Sequence, residues 1–384
     1  MQKEFSFTNK VIFIVSPQHW GNMRVSKHHY AIELALKGNK VYFLEPPDSK
    51  HAGISVKPAS ESEHLYIVRY KPLFRGKKYL PPFLYSLLIS LQLKKLKDYL
   101  GVQPDVVWSF HPFLFENLKQ FKAPLAIYFG ADLFIENELP GEIRTADICF
   151  AVSPTILERI KEGNANVYFI NHGLSAVFLN HAARRSEGLA ANPTPAMRIG
   201  YAGNLLMEAP DHATMKKVIA AHPDKQFIFW GQYEKNGPFI GHDHPDVADF
   251  VDFLKRQANV ILRGVVPTGQ MAAEMQQIDM FWICWKTTAS RMWDGSNSHK
   301  LLEYISTGRP VVAHHVAAYK GTTYLRMMPD SSNEQYPELF SETAKSIVSG
   351  RIKAVDENHV QFAAGNTYRH QLERIEALIS AHVG

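Results

Sequence analysis

The sequence predicts two doubly wound α/β domains in tandem, on three observations. Short runs of β-branched and aromatic residues alternate with helical patterns almost from end to end. Several of those runs are apolar on both faces, as strands of a parallel sheet covered by helices on each side are. A stretch rich in Pro, Gly, Ala and polar residues, 183–195, interrupts the alternation, which then restarts. A length of 384 residues suits two domains.

In the first half, Val11-Ile-Phe-Ile-Val reads as a strand, and residues 25–37 read as an amphipathic helix ending at Gly38. Further strands start at Lys40, Leu65, Asp105, Leu125, Ile148 and Val167. In the second half strands start at Arg198, Gln226, Asn259, Met280 and Pro310, with helices near 212–221, 247–257, 268–277 and 298–307. Residues 367–380 form a last helix with Leu372, Ile375, Leu378 and Ile379 on one face. The expected domains are 1–185 and 186–366, followed by a terminal helix in 367–384.

Composition narrows the function classes. Apolar residues make up 46% and charged residues 21%, the balance of a globular protein with sizeable cores. A net charge of +5 is too small and diffuse to point to nucleic acid. Cys149 and Cys284 both sit inside apolar runs, where buried free thiols are expected rather than a disulfide or metal site. The first residues lack the layout of a signal peptide, and the apolar stretch 81–91 is too short to span a bilayer. A cytoplasmic protein is expected.

The most informative stretch is Ser296-Asn-Ser-His-Lys-Leu-Leu-Glu-Tyr-Ile-Ser-Thr-Gly-Arg-Pro-Val-Val-Ala. Asn297 or Ser298 can cap a helix whose first turn holds Lys300 and whose second holds Glu303. Gly308 can close it in the left-handed conformation before a strand opened by Pro310. A helix start carrying a lysine suits an anionic diphosphate, and Glu303, three residues on, shares the face of Lys300 and can accept from two ribose hydroxyls. The plainer alternative is an i,i+3 ion pair on a helix surface.

This stretch resembles the donor-binding motif of GT-B glycosyltransferases, matching at Lys300, Leu301, Glu303, Tyr304, Gly308, Pro310, Val311 and Val312. The likeness extends to Asn259-Val-Ile-Leu-Arg-Gly-Val-Val with the following helix, and to Arg198-Ile-Gly-Tyr-Ala-Gly-Asn, which includes Gly203 and Asn204. In the first half Ala151-Val-Ser-Pro and Val167-Tyr-Phe-Ile-Asn-His-Gly-Leu are similar to family landmarks. The resemblance implies two Rossmann-like domains with a deep interdomain cleft and a final helix returning to the first domain. It implies a nucleotide-sugar donor, UDP- or GDP-linked, and a glycan or lipid-linked acceptor in bacterial surface-glycan assembly, with no cofactor. Donor contacts would come from Ser298, Lys300, Glu303, Gly203 and Asn204, with the base against the neighbouring strand ends at Gly231, Arg263 and Val265. Two family features are missing. Gly295, beside Asp294, stands where many retaining members carry Glu, and Asn204-Leu-Leu-Met-Glu-Ala-Pro-Asp replaces a basic pair. Inverting members of the glucuronosyltransferase kind remain open, and they need a general base in the first domain.

Asp132 follows a strand's carboxyl end, where open α/β sheets place ligands, and is the first candidate for that base; a helix cap is its alternative. His19, in the loop after the first strand, is the second. Gly21 and Arg24 in the same loop are acceptor candidates, with Arg24 either on an acceptor phosphate or in a surface ion pair. Gly264-Val-Val-Pro-Thr-Gly-Gln lacks the lysine of a phosphate loop, and no Asp-x-Asp occurs, so no metal is expected. Gly241-His-Asp-His-Pro-Asp reads as a solvated loop.

Residues 70–97 mix basic and apolar side chains densely, fitting either peripheral contact with an anionic inner membrane or a core-facing helix with a basic outer face. Two other functions share the fold and donor: a nucleotide-sugar 2-epimerase, and a degenerate nucleotide-binding subunit that has lost transfer.

Overall fold

The computed structural model describes residues 4–21, 24–74, 79–133, 138–185, 196–237, 241–286 and 297–383. The chain divides into two compact units: 1–171 with 368–384, and 172–367. Residues 172–185, assigned above to the first domain, belong to the second unit.

In unit 1 the elements run β1 (Val11–Val15), α1 (Ser26–Leu36), β2 (Lys40–Leu44), β3 (Ile54–Ala59), β4 (Ser62–Tyr70), α2 (Pro82–Leu100) and β5 (Val106–Ser109). There follow β6 (Leu125–Gly130), α3 (Gly141–Thr145), β7 (Ile148–Ala151), α4 (Pro154–Lys161) and β8 (Val167–Phe169). They build one sheet of order β3-β4-β2-β1-β5-β6-β7-β8, parallel except for β3. The winding reverses between β1 and β5, which marks a switch point. Every residue of β5, β6 and β7 is buried, which explains their continuous apolar sequences. The antiparallel strand β3 escaped the sequence reading. It carries Pro58 on an edge, where a missing N–H is tolerated and the apolar pattern is diluted.

Unit 2 begins with α5 (Ala176–Arg185), then β9 (Arg198–Ala202), α6 (His212–Ala221), β10 (Gln226–Trp230), α7 (Pro245–Arg256), β11 (Val260–Gly264) and α8 (Thr268–Met275). It continues with β12 (Met280–Ile283), α9 (Lys300–Ile305), β13 (Val311–Ala313), β14 (Arg326–Met327), α10 (Tyr336–Val348) and α11 (Glu357–Ala364). The sheet is parallel with order β11-β10-β9-β12-β13-β14. Its switch point lies between β9 and β12. The linker assigned to 183–195 falls mostly outside the described residues.

The last helix, α12 (Tyr368–Val383), belongs to unit 1 and lies along α1. Tyr368 places its ring edge-on to Tyr30 at 5.1 Å, inside an aromatic cluster with Trp108, Phe110 and Phe129. Glu376 secures the next two turns. Its carboxylate accepts the Phe7 N–H at 2.6 Å and binds the Lys37 ammonium with both oxygens at 2.8 Å. Both cysteines are free and buried. No helix among the described residues is long and apolar enough to cross a membrane.

Glu376→Ala should cost about 1.5–3 kcal/mol of unit 1 stability, the range for hydrogen bonds to charged groups. Denaturant unfolding measures it, and a loss below the experimental error would show that α12 is held by apolar packing alone.

Candidate functional site

At the carboxyl edge of the second sheet, β11 ends in Gly264, and β9 and β10 are followed directly by Gly203 and Gly231. The Gly203 N–H donates to the Trp230 carbonyl at 2.8 Å, and the Gly231 N–H donates to the Gly264 carbonyl at 2.8 Å. At Gly231, with φ +133°, an added Cβ would lie 1.8 Å from the Gly203 oxygen, so no side chain fits there. The result is a bare backbone shelf across the ends of β9, β10 and β11. Asn204 turns the chain away from it, accepting the Leu206 N–H at 3.0 Å.

Tyr304 fastens α9 beside this shelf. The Ala202 N–H donates to the Tyr304 hydroxyl oxygen at 2.7 Å, and that hydroxyl faces the Ala202 carbonyl at 3.2 Å. The tyrosine ring stacks on Phe281 of β12 at 4.6 Å. Helix α9 is shorter than the expected 298–307. It starts at Lys300 after His299, which makes no side-chain cap bond, and Ser298 contributes its backbone carbonyl to the Leu301 N–H. Asn297 is anchored through its carbonyl to the His172 ring at 2.6 Å. Gly308 takes the left-handed conformation, φ +70°, as expected.

Lys300 and Glu303 do not form the ion pair that their spacing permits, and among the described residues the partner at salt-bridge distance from Glu303 is His299, at 3.8 Å. Among the described residues, no carboxylate lies at salt-bridge distance from Lys300. Burial lowers the Lys300 pKa and raises that of Glu303 to about 7, each opposed by the other's charge. Two ionisable groups therefore sit desolvated on one short helix without neutralising each other.

Arg263 is already engaged. Its guanidinium pairs with Glu274, which also accepts the Trp230 indole N–H at 2.6 Å and the Gln270 amide at 2.8 Å. Those bonds, with Arg263 foremost, hold Glu274 down at about 2. Val265 beyond it is exposed. Asp294 and Gly295 lie outside the described residues.

At the carboxyl edge of the first sheet, His19 and Glu45 meet. Glu45 follows β2 with no side-chain exposure, and its carboxylate takes three donors. These are the His19 Nδ1–H at 3.0 Å, the Trp20 N–H at 2.8 Å and the Arg69 Nε–H at 2.8 Å. The His19 side chain is 62% exposed, so its second nitrogen is accessible. His28 holds the loop from below. Its Nδ1 accepts the Val25 N–H at 3.2 Å, so Nε2 carries the proton and donates to the His19 carbonyl at 3.2 Å. Burial takes His28 down to about 3, which keeps it neutral.

Asp132 lies near Lys27, whose pKa burial lowers to about 8 with partial relief from the Asp132 charge. It is not the cap of the next described helix, since α3 is preceded by Pro140. Arg24 lies before α1 rather than in its first turn. It pairs with Glu61 and the Gly21 carbonyl and stacks on Trp20 at 4.2 Å, which is the ion-pair alternative. Glu45, Arg69 and His28 were missed by sequence reasoning. The position of Glu45 directly after a buried strand was the available signal. His242 and His244 behave as loop residues, paired with Glu208 and capping α7.

No family model matches the chain, and no curated protein does. Solved structures do. A glycosyltransferase from Rickettsia africae superposes with TM-score 0.67 at 11% identity, covering 98% of this chain and 99% of that one. A trehalose-6-phosphate structure from E. coli bound with UDP-2-fluoro glucose gives 0.68 at 10%, covering 96% and 99%. Anabaena HepE in complex with UDP and glucose gives 0.62 at 14%, covering 97% and 99%. At these identities the likeness shows the fold, and the fold is GT-B.

The elevated Glu303 has a stability consequence. A carboxyl whose pKa is raised on folding favours the folded state while protonated, and that advantage is lost as pH rises through about 7. Glu303→Gln should therefore match the parent near pH 5 and exceed it by about 1–3 kcal/mol near pH 8. Melting curves at the two pH values test this, and equal shifts at both would show that Glu303 is not desolvated.

Proposed function

We propose that this chain is a glycosyltransferase: unit 2 binds a nucleotide-sugar donor, and unit 1 binds the acceptor and takes its proton. The observation that carries the reading is the unneutralised pair Lys300 and Glu303 on α9 beside the glycine shelf. A nucleoside diphosphate answers both groups at once. The phosphates bring negative charge to Lys300, and ribose hydroxyls donate to Glu303. The shelf lets the ligand approach the backbone of Gly203 and Gly231, with the base at the strand ends around Trp230, Gly264 and Val265. Two proteins of similar fold hold UDP or a UDP-sugar in their structures, which supports a uridine donor.

For the proton, His19 fits better than Asp132. Glu45 orients its imidazole, fixes the proton on Nδ1 and stabilises the imidazolium that forms, while the other nitrogen stays accessible. The acceptor oxygen attacks the anomeric carbon as its proton passes to His19. The bond from that carbon to the diphosphate breaks, and Lys300 offsets the charge that develops on the leaving group. Attack from the face opposite the leaving diphosphate inverts the anomeric centre. No metal is needed. The acceptor in this reading is a glycan or lipid-linked intermediate of bacterial surface-glycan assembly, met in the cytoplasm at the inner face of the membrane.

A panel of UDP- and GDP-sugars tests the reaction. His19→Ala and Glu45→Gln should each lower transfer about 100-fold or more, the low end of general-base effects, with nucleotide affinity unchanged. Epimerisation of the donor without acceptor would make the chain an isomerase. Loss of transfer in Asp132→Asn but not His19→Ala would move the base to Asp132.

A further inference from the structure

We propose that the outer face of α2, with the lysine-lined cavity beside it, forms a docking surface for an anionic lipid bilayer. This rests on unit 1 alone and is independent of sugar transfer. Tyr79, Phe83, Leu87 and Leu91 recur every four residues. That spacing puts the helical members on one face. They expose 74, 71, 55 and 47% of their surface. A contiguous apolar row of this kind marks an interaction surface rather than ordinary solvated protein. The fully buried side chains of α2, Gln92, Leu93 and Leu96, lie in its second half. The first half reaches the core through Ile89 and bonds the Leu114 carbonyl through the Tyr85 hydroxyl, with Phe83 and Leu87 left on the outer face. From Tyr79 to Lys97 the sequence has no acidic residue.

The second observation is separate from the first. A cavity of about 850 Å³ opens at the basic end of the ladder, lined by Leu91, Lys94, Lys97, Lys119 and Lys122. Its one carboxylate among the described residues, Asp98, is taken by Lys94. Lys119 pairs with Asp147, so the basic charge without a carboxylate at salt-bridge distance among the described residues is that of Lys97 and Lys122. Burial, then repulsion from Lys122, lowers the Lys97 pKa against the attraction of Asp98.

A bilayer satisfies both halves together. The ladder enters the boundary between headgroups and acyl chains, and the lysines meet lipid phosphates at the same depth. A second copy of the chain would cover the ladder and leave Lys97 and Lys122 without counter-charge. An acidic protein would do the reverse.

Vesicle flotation of the full chain tests this without any donor. The protein should float with phosphatidylcholine vesicles containing about 30% phosphatidylglycerol but not with phosphatidylcholine alone, and rising salt should weaken the binding. The double variants Phe83→Ser/Leu87→Ser and Lys97→Gln/Lys122→Gln should each lower the bound fraction at least about five-fold. Their melting temperatures should stay near the parent's, which separates lost docking from lost folding. No flotation, flotation indifferent to both variants, or a dimer that the Phe83→Ser/Leu87→Ser variant dissociates would each overturn the proposal.

Discussion

The hydroxyl of Tyr304, held against both backbone groups of Ala202, fixes the geometry of the donor site proposed for unit 2. One residue beyond Ala202 the chain becomes Gly203, and the shelf of glycines begins. One residue before Tyr304 stands Glu303, with Lys300 a turn earlier. The bond therefore sets the short helix α9 in register with a stretch of glycine backbone, at whose centre, Gly231, no side chain fits. Parallel sheets present such strand ends together, and the winding reverses beside β9, the kind of place where open α/β sheets bind ligands.

Charge compensation separates the structural carboxylates from those available to a ligand. Glu274 is saturated by Arg263, Trp230 and Gln270, and Glu376 by Lys37 and the Phe7 N–H. Burial of a charge is tolerated in this way. Among the described residues Glu303 and Lys300 lack that compensation, and two desolvated charges kept apart on one helix carry a cost that a bound ligand can relieve. Glu45 is an intermediate case. It is saturated by three donors, yet one of them is an exposed imidazole whose far nitrogen remains open.

Much of this was legible in the residues. The fully buried strands announced themselves as unbroken apolar runs, and Lys300, Glu303 and Gly308 stood at helical spacing before a proline. Where the reading fell short, long-range contacts were responsible. The partners Arg263 and Glu274 are eleven residues apart, and His19 meets Glu45 across twenty-six, so neither pairing shows in local pattern. Ser298 looked like a cap because serine often caps, but the backbone around Asn297 is held by His172 from far along the chain. The edge strand β3 carries a diluted pattern because it lies at the margin of the sheet with Pro58 in it.

The central claim is that Lys300 reads phosphate and Glu303 reads ribose. Calorimetric titration of the parent, Lys300→Ala and Glu303→Ala with UDP, UMP and 2′-deoxy-UDP addresses each group separately. In Lys300→Ala the preference for UDP over UMP should collapse while the preference for UDP over 2′-deoxy-UDP survives, and Glu303→Ala should do the opposite. Each affected preference should fall by about 1.5–3 kcal/mol. Equal affinities of all three proteins for all three ligands would contradict the account.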